Sequence, residues 1–334
     1  MVMRETDGRS TTPPQAASLP HKEIRRRIKR WFEKAKRDLP WRRTRDPYAI
    51  WISEIMLQQT RVAAVIPYYE RFLDSFPNVA ALAAADEDRV LRMWSGLGYY
   101  SRARNLRKGA REIGDGEFPR DYEAIRGLAG VGDYTAAAVA SIAFGLPYAA
   151  VDGNVRRVIA RLSGDGNADF TKIANHLLDR RDPALWNQAM MELGATVCLP
   201  RDPLCGACPA AKWCEARARG TQNELPLKKV KPETVRLSRT LFVVRRRGKI
   251  LLAPGQRVRG FWDLPEGIRP ARLGPVVGEF GHSITHHRYR FEVREAMVTR
   301  IPKAFRWFAE EQLHEIPLST TAKKALRCLI KVVV

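Results

Sequence analysis

Gly130-Val131-Gly132-Asp133-Tyr134-Thr135, an apolar run, and then Val151-Asp152-Gly153-Asn154 are the residues whose types and spacing best support chemistry. Gly130 and Gly132 let the backbone approach another backbone closely, which a Cβ resists. Asp133 is expected to cap the helix that Tyr134 begins, and a helix N-terminus is a ready anion site. A phosphate fits there. One helix later, Asp152 places a carboxylate within reach of a nucleic-acid backbone. Taken singly, Gly-Val-Gly is more often an ordinary turn, and an Asp before Gly is usually a turn residue. The second constellation is Cys198, Cys205, Cys208 and Cys214, with the spacing C-x6-C-x2-C-x5-C. Four thiolates in one short loop can surround a single centre. Zinc ribbons usually offer two C-x2-C knuckles. One such pair with unequal longer gaps favours a [4Fe–4S] cubane, with zinc as the alternative. Cys328 stands alone in an apolar context and reads as a small buried hydrophobe.

The chain around these residues is long and basic. Its 334 residues suffice for two domains with their own cores. Lys and Arg number 58 against 36 Asp and Glu, a net charge of +22. Such an excess implies a polyanionic partner, nucleic acid before an anionic membrane surface. No apolar run approaches the roughly 20 residues a membrane span needs. Residues 1–20 are rich in Thr, Pro and Ser without an apolar core segment, so they read as a disordered tail rather than a secretory signal. Clustered cysteines argue against a disulfide framework and for a metal site in a reducing compartment. The expected location is therefore cytoplasmic, at the nucleoid.

Residues 22–45 are strongly basic, with Ile24, Ile28, Trp31, Phe32 and Ala35 at helical spacing, which predicts an amphipathic helix with a positive outer face. From Pro47 to Leu193 the pattern stays helical between short Gly/Pro breaks. An all-α domain over 21–220, with about ten helices, is expected. A polar, basic linker follows at 221–238. The period then changes. Leu241–Val244 and Ile250–Leu252 flank Arg247-Gly248, a hairpin signal, and Arg288–Arg294 alternates strictly, as a half-buried strand does. Residues 239–334 thus read as a small α+β domain closed by a helix over Lys323–Val334.

Residues 40–214 resemble the helix-hairpin-helix DNA glycosylases of the endonuclease III superfamily, specifically the MutY-type adenine glycosylases. The matching motifs are Leu39-Pro40-Trp41-Arg42, Ser53-Glu54-Ile55-Met56-Leu57-Gln58-Gln59-Thr60 and Gly96-Leu97-Gly98-Tyr99-Tyr100-Ser101-Arg102, with the Gly-Val-Gly hairpin, Val151-Asp152-Gly153-Asn154 and the four cysteines. The resemblance implies a [4Fe–4S] cluster in the cysteine loop, structural or redox-sensing. Lyase-type relatives carry a Lys just after the hairpin for a Schiff base. This chain has Tyr134, which implies a monofunctional enzyme. Asp152-Gly153-Asn154 is the adenine-glycosylase form, where pyrimidine-lesion relatives read Asp-Thr-His.

The same resemblance assigns roles. Glu54 lies among Trp51, Ile52, Ile55, Met56 and Leu57, where a carboxyl tends to keep its proton, and it would protonate adenine N7. Asp152 would stabilise the sugar C1′, as a second carboxylate in an unlike environment does. Tyr134 and Asn154 would orient these groups. Gln59 and Tyr99 would wedge the duplex while the base is flipped. Leu128, Gly130, Val131 and Gly132 would grip backbone phosphates, with a monovalent cation on the hairpin carbonyls, and Arg42 would contact DNA. The C-terminal part resembles a shortened Nudix-like domain that recognises 8-oxoguanine. Gly260–Gly267 resembles its Gly-Leu-Trp-Glu-Phe-Pro segment. Ile284, Thr285 and His286 stand where Phe-Ser-His is usual. Only a short loop is expected between Gly267 and Phe280, and the acidic Nudix box is absent, which argues against pyrophosphate hydrolysis. The implied protein is a monomer acting on double-stranded DNA with A:8-oxoguanine or A:G mismatches. A thymine or uracil mismatch glycosylase, an endonuclease III-like lyase and a catalytically silent DNA-binding homologue are the rival readings.

Overall fold

The computed structural model describes residues 20–227 and 233–330. Residues 1–19 of the expected tail, 228–232 of the linker and the last four residues lie outside the described residues. Twelve α-helices come first: α1 (His21–Ala35), α2 (Pro47–Leu57), α3 (Val62–Ser75), α4 (Val79–Ala84), α5 (Glu87–Trp94), α6 (Ser101–Ile113), α7 (Tyr122–Gly127), α8 (Asp133–Phe144), α9 (Gly153–Ser163), α10 (Phe170–Leu177), α11 (Pro183–Thr196) and α12 (Glu215–Ala218). The α+β part follows, with β1 (Val235–Val243), β2 (Arg245–Arg246), β3 (Lys249–Pro254), β4 (Trp262–Asp263), β5 (Arg272–Ile284), β6 (His287–Met297), β7 (Arg306–Ala309) and α13 (Thr320–Ile330).

The chain forms two compact units. The first joins the described residues through Gln58 to those from Gly116 up to the linker. The second joins Gln59–Asp115 to the described residues beyond the linker. The helical stretch expected as one domain therefore contributes to both.

In the first unit the basic helix α1 turns Ile24, Ile28 and Phe32 into a core shared with Val158, Ile159, Leu177, Trp186, Met190 and Leu193. Part of its positive face is tied down internally. Arg25 donates to the carbonyls of Leu177 and His176, and Lys29 pairs with Asp179 at 2.5 Å. Below α1, Glu192 of α11 is fully buried, and Arg37 and Arg42 both close on it, at 2.7 and 2.8 Å. Burial pushes the Glu192 carboxyl up, but the hydrogen bonds from Arg37 and Arg42 outweigh it and hold the pKa down at about 2. Arg42 also donates to the Arg37 carbonyl and lies over the Phe32 ring. The side chain read from the sequence as a DNA contact is thus engaged inside the fold.

In the second unit, β1, β6 and β5 form one sheet, with β1 parallel to β6 and β5 antiparallel to it. A second sheet centres on β3, which pairs with β2, β4 and β7. Arg247 and Gly248, at φ 50° and 67°, form the expected hairpin turn. Leu241, Val243, Ile250, Leu252, Phe291 and Val293 pack against Ala322, Ala325 and Leu329 of α13. Two expectations need correction. The end of the proposed linker, Val235–Ser238, is already strand, paired with His287–Arg290. Much of the stretch before Phe280 is not loop but the start of β5, which runs from Arg272 through register shifts between Leu273 and Gly278. Gly274, Pro275 and Gly278 disguise it, because glycine and proline are poor strand formers except at such irregularities.

Glu192→Ala would strand two guanidiniums. It is expected to cost about 3 kcal/mol, the low end for breaking a buried pair because Arg37 is partly solvated. Urea unfolding would show this as a lower midpoint. The wild-type carboxyl is held below its ordinary value of 4.5. Its stabilisation is therefore complete above 4.5 and is lost as pH falls toward about 2.

Candidate active site

Helix α2 starts on Asp46, whose carboxylate accepts from the Tyr48 and Ala49 amides at 3.1 and 3.3 Å, with Pro47 at the first helical position. Every residue from Tyr48 to Met56 is buried. An apolar helix with no solvent face carries its one carboxylate into the core, so Glu54 is only 5% exposed. Helix α8 packs beside it. Its residues from Thr135 to Ile142 are buried, and four of them are alanines, which allow close approach.

Tyr134, in the first turn of α8, donates its hydroxyl proton to Glu54 Oε2 at 2.5 Å. Met191 Sδ of α11 lies 3.2 Å from the same hydroxyl. Burial pushes the Glu54 pKa up to about 7 against the Tyr134 hydrogen bond, and the nearby charge of Asp152 adds to the rise. Burial likewise raises the Tyr134 phenol well above its ordinary range, so it stays a donor. With Oε2 accepting from Tyr134, the proton of the acid form belongs on Oε1.

Asp152 is the N-cap of α9. Its Oδ1 accepts from the Val155 amide at 2.7 Å and its Oδ2 from Asn154 Nδ2 at 2.9 Å. Burial raises its pKa, while these donors and Arg157 oppose the rise. The two carboxyls therefore sit in unlike surroundings. Glu54 has one donor and apolar neighbours, whereas Asp152 has the donors that stabilise an anion. Asn154 is itself fixed, because Arg157 donates to its Oδ1 and to the Gly194 carbonyl, each at 2.8 Å, and to the Cys198 carbonyl at 2.7 Å. A Cβ at Gly194 would fall 2.6 Å from Asn154 Cβ and 3.0 Å from its backbone, so only glycine lets α11 approach the start of α9 here.

The hairpin lies between α7 and α8. Gly130 has φ 77°, a left-handed conformation that favours glycine, and the Val131 amide donates to the Leu128 carbonyl at 3.1 Å. Leu128 and Val131 are buried. Asp133 is not the cap. The cap is Gly132, and Asp133 occupies the first helical position, where it pairs with Arg126 and accepts from Tyr122. Helix α8 therefore has no side-chain cap, and its first-turn N–H groups are left for an anion.

Cys198, Cys205, Cys208 and Cys214 occupy one loop between α11 and α12. The Arg161 guanidinium, almost fully buried, donates to Cys198 Sγ at 3.3 Å and to the Leu199 carbonyl at 2.6 Å. Cys214 Sγ–H meets the Arg161 carbonyl at 3.3 Å. Burial, with the charges of the other three sulfurs adding to it, pushes the Cys208 thiol up to about 11. Among the described residues, no three His, Cys, Asp or Glu side chains converge to hold a metal ion. The thiols are thus a gathered set and not a closed shell. As donors they suit a thiolate-ligated group, with Arg161 to offset its negative charge.

In the second unit, Gln59 and Tyr99 have φ 58° and 47°, a region residues with a Cβ rarely adopt. Tyr99 is 48% exposed. Thr285, also left-handed at φ 53°, forms with His286 the turn between β5 and β6. Its Oγ1 donates to the Ile284 carbonyl at 2.7 Å, and Ile284 is half-buried.

Sequence reasoning missed Met191, Glu192, Gly194 and Arg157. A glutamate within the apolar run of α11 carries the same signal as Glu54 does in α2. Gly194 and Arg157 are recognisable only once α9 and α11 are seen to touch, and Met191 only once α11 is seen to meet α8.

Comparison with known proteins places this arrangement. Residues 52–181 match the family described as HhH-GPD superfamily base excision DNA repair protein. A solved thermostable thymine-DNA glycosylase superposes with a TM-score of 0.57 at 32% identity, covering 61% of this chain and all of that one. The human adenine DNA glycosylase is 35% identical, over 89% of this chain and 72% of that protein. The adenine DNA glycosylase of Buchnera aphidicola subsp. Baizongia pistaciae is 34% identical, over 78% of this chain and 82% of its own length. The chain is thus a base excision DNA glycosylase of the helix-hairpin-helix class. Within that class it belongs to the adenine DNA glycosylases, which remove adenine from DNA.

An acid with a pKa of about 7 should make base release decline as pH rises through neutrality. The Tyr134 hydrogen bond lowers that pKa, so Tyr134→Phe is expected to move the alkaline limb to higher pH. Single-turnover rates between about pH 5 and 9 measure this, and a shift to lower pH would contradict the assignment.

Proposed function

We propose that the chain is a monofunctional adenine glycosylase acting on adenine opposite 8-oxoguanine and opposite guanine. The observation that carries this reading is the buried Glu54–Tyr134 hydrogen bond together with Asp152 held as the N-cap of α9. Glu54 donates the Oε1 proton to adenine N7, because the adenine anion is a poor leaving group. The N9–C1′ bond breaks, its electron pair leaves with the base, and the Asp152 carboxylate stabilises the oxocarbenium ion at C1′. Water then adds to C1′ and gives up its proton to the Glu54 carboxylate, which restores the acid. Asn154 keeps Asp152 oriented, and Tyr134 keeps Glu54 oriented. Tyr134 holds no amine, so no Schiff base forms there. Leu128, Gly130, Val131 and Gly132 with the start of α8 hold a phosphate, a monovalent cation being the natural companion of the hairpin carbonyls. Gln59 and Tyr99 occupy the space the flipped base leaves. Thr285 and His286 offer hydrogen bonds to the opposing lesion.

We further propose that Cys198, Cys205, Cys208 and Cys214 ligate a [4Fe–4S] cluster. When bound, the cluster supplies a covalent staple for the loop and a redox-active centre. Arg161 and Arg157 anchor the flanking carbonyls of that loop.

Single-turnover release from duplexes bearing A opposite 8-oxoguanine, A opposite G, and T opposite G tests the main reading. Adenine is expected to leave faster than thymine, and fastest opposite 8-oxoguanine. Thymine leaving faster would sink it. Asp152→Asn should abolish release while mismatch binding persists, and near-normal rates would remove Asp152 from the mechanism. For the cysteine loop, purified protein is expected to contain iron and to show a broad visible charge-transfer absorption. Stoichiometric zinc without iron would refute the cluster.

A further inference from the structure

Arg102 lies in the first turn of α6 and is 7% exposed. Its Nη2 donates to three acceptors, Thr60 Oγ1 at 3.1 Å, the Gly98 carbonyl at 3.2 Å and the Leu97 carbonyl at 3.3 Å. These acceptors are the residue directly after Gln59 and the two residues directly before Tyr99. Its guanidinium carbon lies 5.3 Å from the Trp94 ring centroid and 5.4 Å from that of Tyr99, within cation–π range of both. The Trp94 indole N–H in turn donates to the Gly98 carbonyl at 3.1 Å. Gln59 and Tyr99 are two of the five non-glycine residues with positive φ among the described residues. A residue keeps such a conformation only where its surroundings hold it. One buried cation therefore meets Tyr99 itself and the residue directly after Gln59.

We propose that Arg102 is a positioning residue that holds the Gln59 and Tyr99 loops in register for insertion into the duplex. Arg102 touches neither the base nor the sugar. It acts by fixing the Thr60 hydroxyl and the Leu97 and Gly98 carbonyls while the Tyr99 ring rests against its guanidinium plane. Lysine could reach one of these acceptors, but it lacks the planar face and the fixed fork. The proposal rests on the reading of Gln59 and Tyr99 as wedge residues.

A mutant cycle on the full chain tests it, with 2-aminopurine in place of the target adenine as the probe of unstacking. Arg102→Met is expected to lower single-turnover release by up to about a hundredfold and to reduce the 2-aminopurine fluorescence rise. Affinity for undamaged duplex and the melting temperature should change little by comparison. Arg102→Lys should recover only part of the loss. In a Gln59→Ala/Tyr99→Ala background, Arg102→Met should cost almost nothing more, because the groups it positions are gone. The same fold-loss in both backgrounds would overturn the proposal and leave the wedge reading standing. An unchanged rate and fluorescence for Gln59→Ala/Tyr99→Ala alone would overturn the wedge reading itself, and the proposal with it. Should Arg102→Met fold poorly, Arg102→Lys in the two backgrounds gives the same comparison.

Discussion

The proposed active site depends on the burial of one carboxyl group. Helix α2 is apolar around its whole circumference, so any polar residue in it must enter the core. Glu54 does, and burial makes its neutral form stable near pH 7, with a pKa of about 7. An acid of this strength can hold its proton until a base arrives and still give it up readily. The tyrosine hydrogen bond tempers the shift. Without it, burial and the charge of Asp152 would both act upward with only Arg42 opposing. Much of the first unit keeps this acid dry, oriented and near a second carboxyl that burial also raises but that more donors oppose.

That second carboxylate is held by the start of a helix. Asp152 caps α9, so the backbone that orients it is the same backbone that stabilises its charge. The constraint continues outward through Asn154 and Arg157 to the carbonyls of Gly194 and Cys198. Gly194 permits the contact by having no side chain. Glu192, two residues earlier in α11, gathers Arg37 and Arg42. A basic protein with a net charge of +22 therefore does not present all its cations to solvent. Some arginines brace the catalytic core, and those left at the surface give salt-dependent attraction to DNA.

Much of this was legible in the sequence, for a physical reason. Glu54, Tyr134, Asp152 and Asn154 lie in short motifs whose local structure is set by neighbours in the chain, namely a helix cap, a glycine turn and an apolar run. The helical character of residues 47–193 and the alternation in β6 are also local properties. Three features were not legible in the same way. Asp133 has the right type and place for a cap, yet Arg126 at the end of α7 takes its carboxylate and Gly132 takes its role. The internal partner of Arg42, a buried glutamate 150 residues later, could not be seen beside it. The early part of β5 was hidden by Gly274, Pro275 and Gly278, whose irregular pairing only the partner strand reveals.

The division of the chain into two units gives these residues a further order. Glu54, Tyr134, Asp152, Asn154 and the cysteine loop all belong to the first unit. Gln59, Tyr99, Ile284, Thr285 and His286 all belong to the second, since α3–α6 are grouped with the α+β part. The groups proposed to break the bond need burial and fixed protonation, and they sit in the unit that holds the fully buried helix α2. Residues assigned to wedge or inspect DNA need exposure and an unusual backbone. Gln59, Tyr99 and Thr285 are three of the five positive-φ non-glycine positions among the described residues. The turn that bears Tyr99 is sustained by packing within its own unit. The ring of Tyr100, directly after Tyr99, lies 4.1 Å from that of Phe261 in the Gly-Phe-Trp-Asp segment, and its hydroxyl meets Thr320 at the start of α13. Lys323 of the same helix donates to Ser95 at 2.7 Å. The α+β part thus does more than carry the Thr285 turn. It forms one wall of the turn that bears Tyr99, so a change in its packing reaches the wedge without crossing the catalytic core.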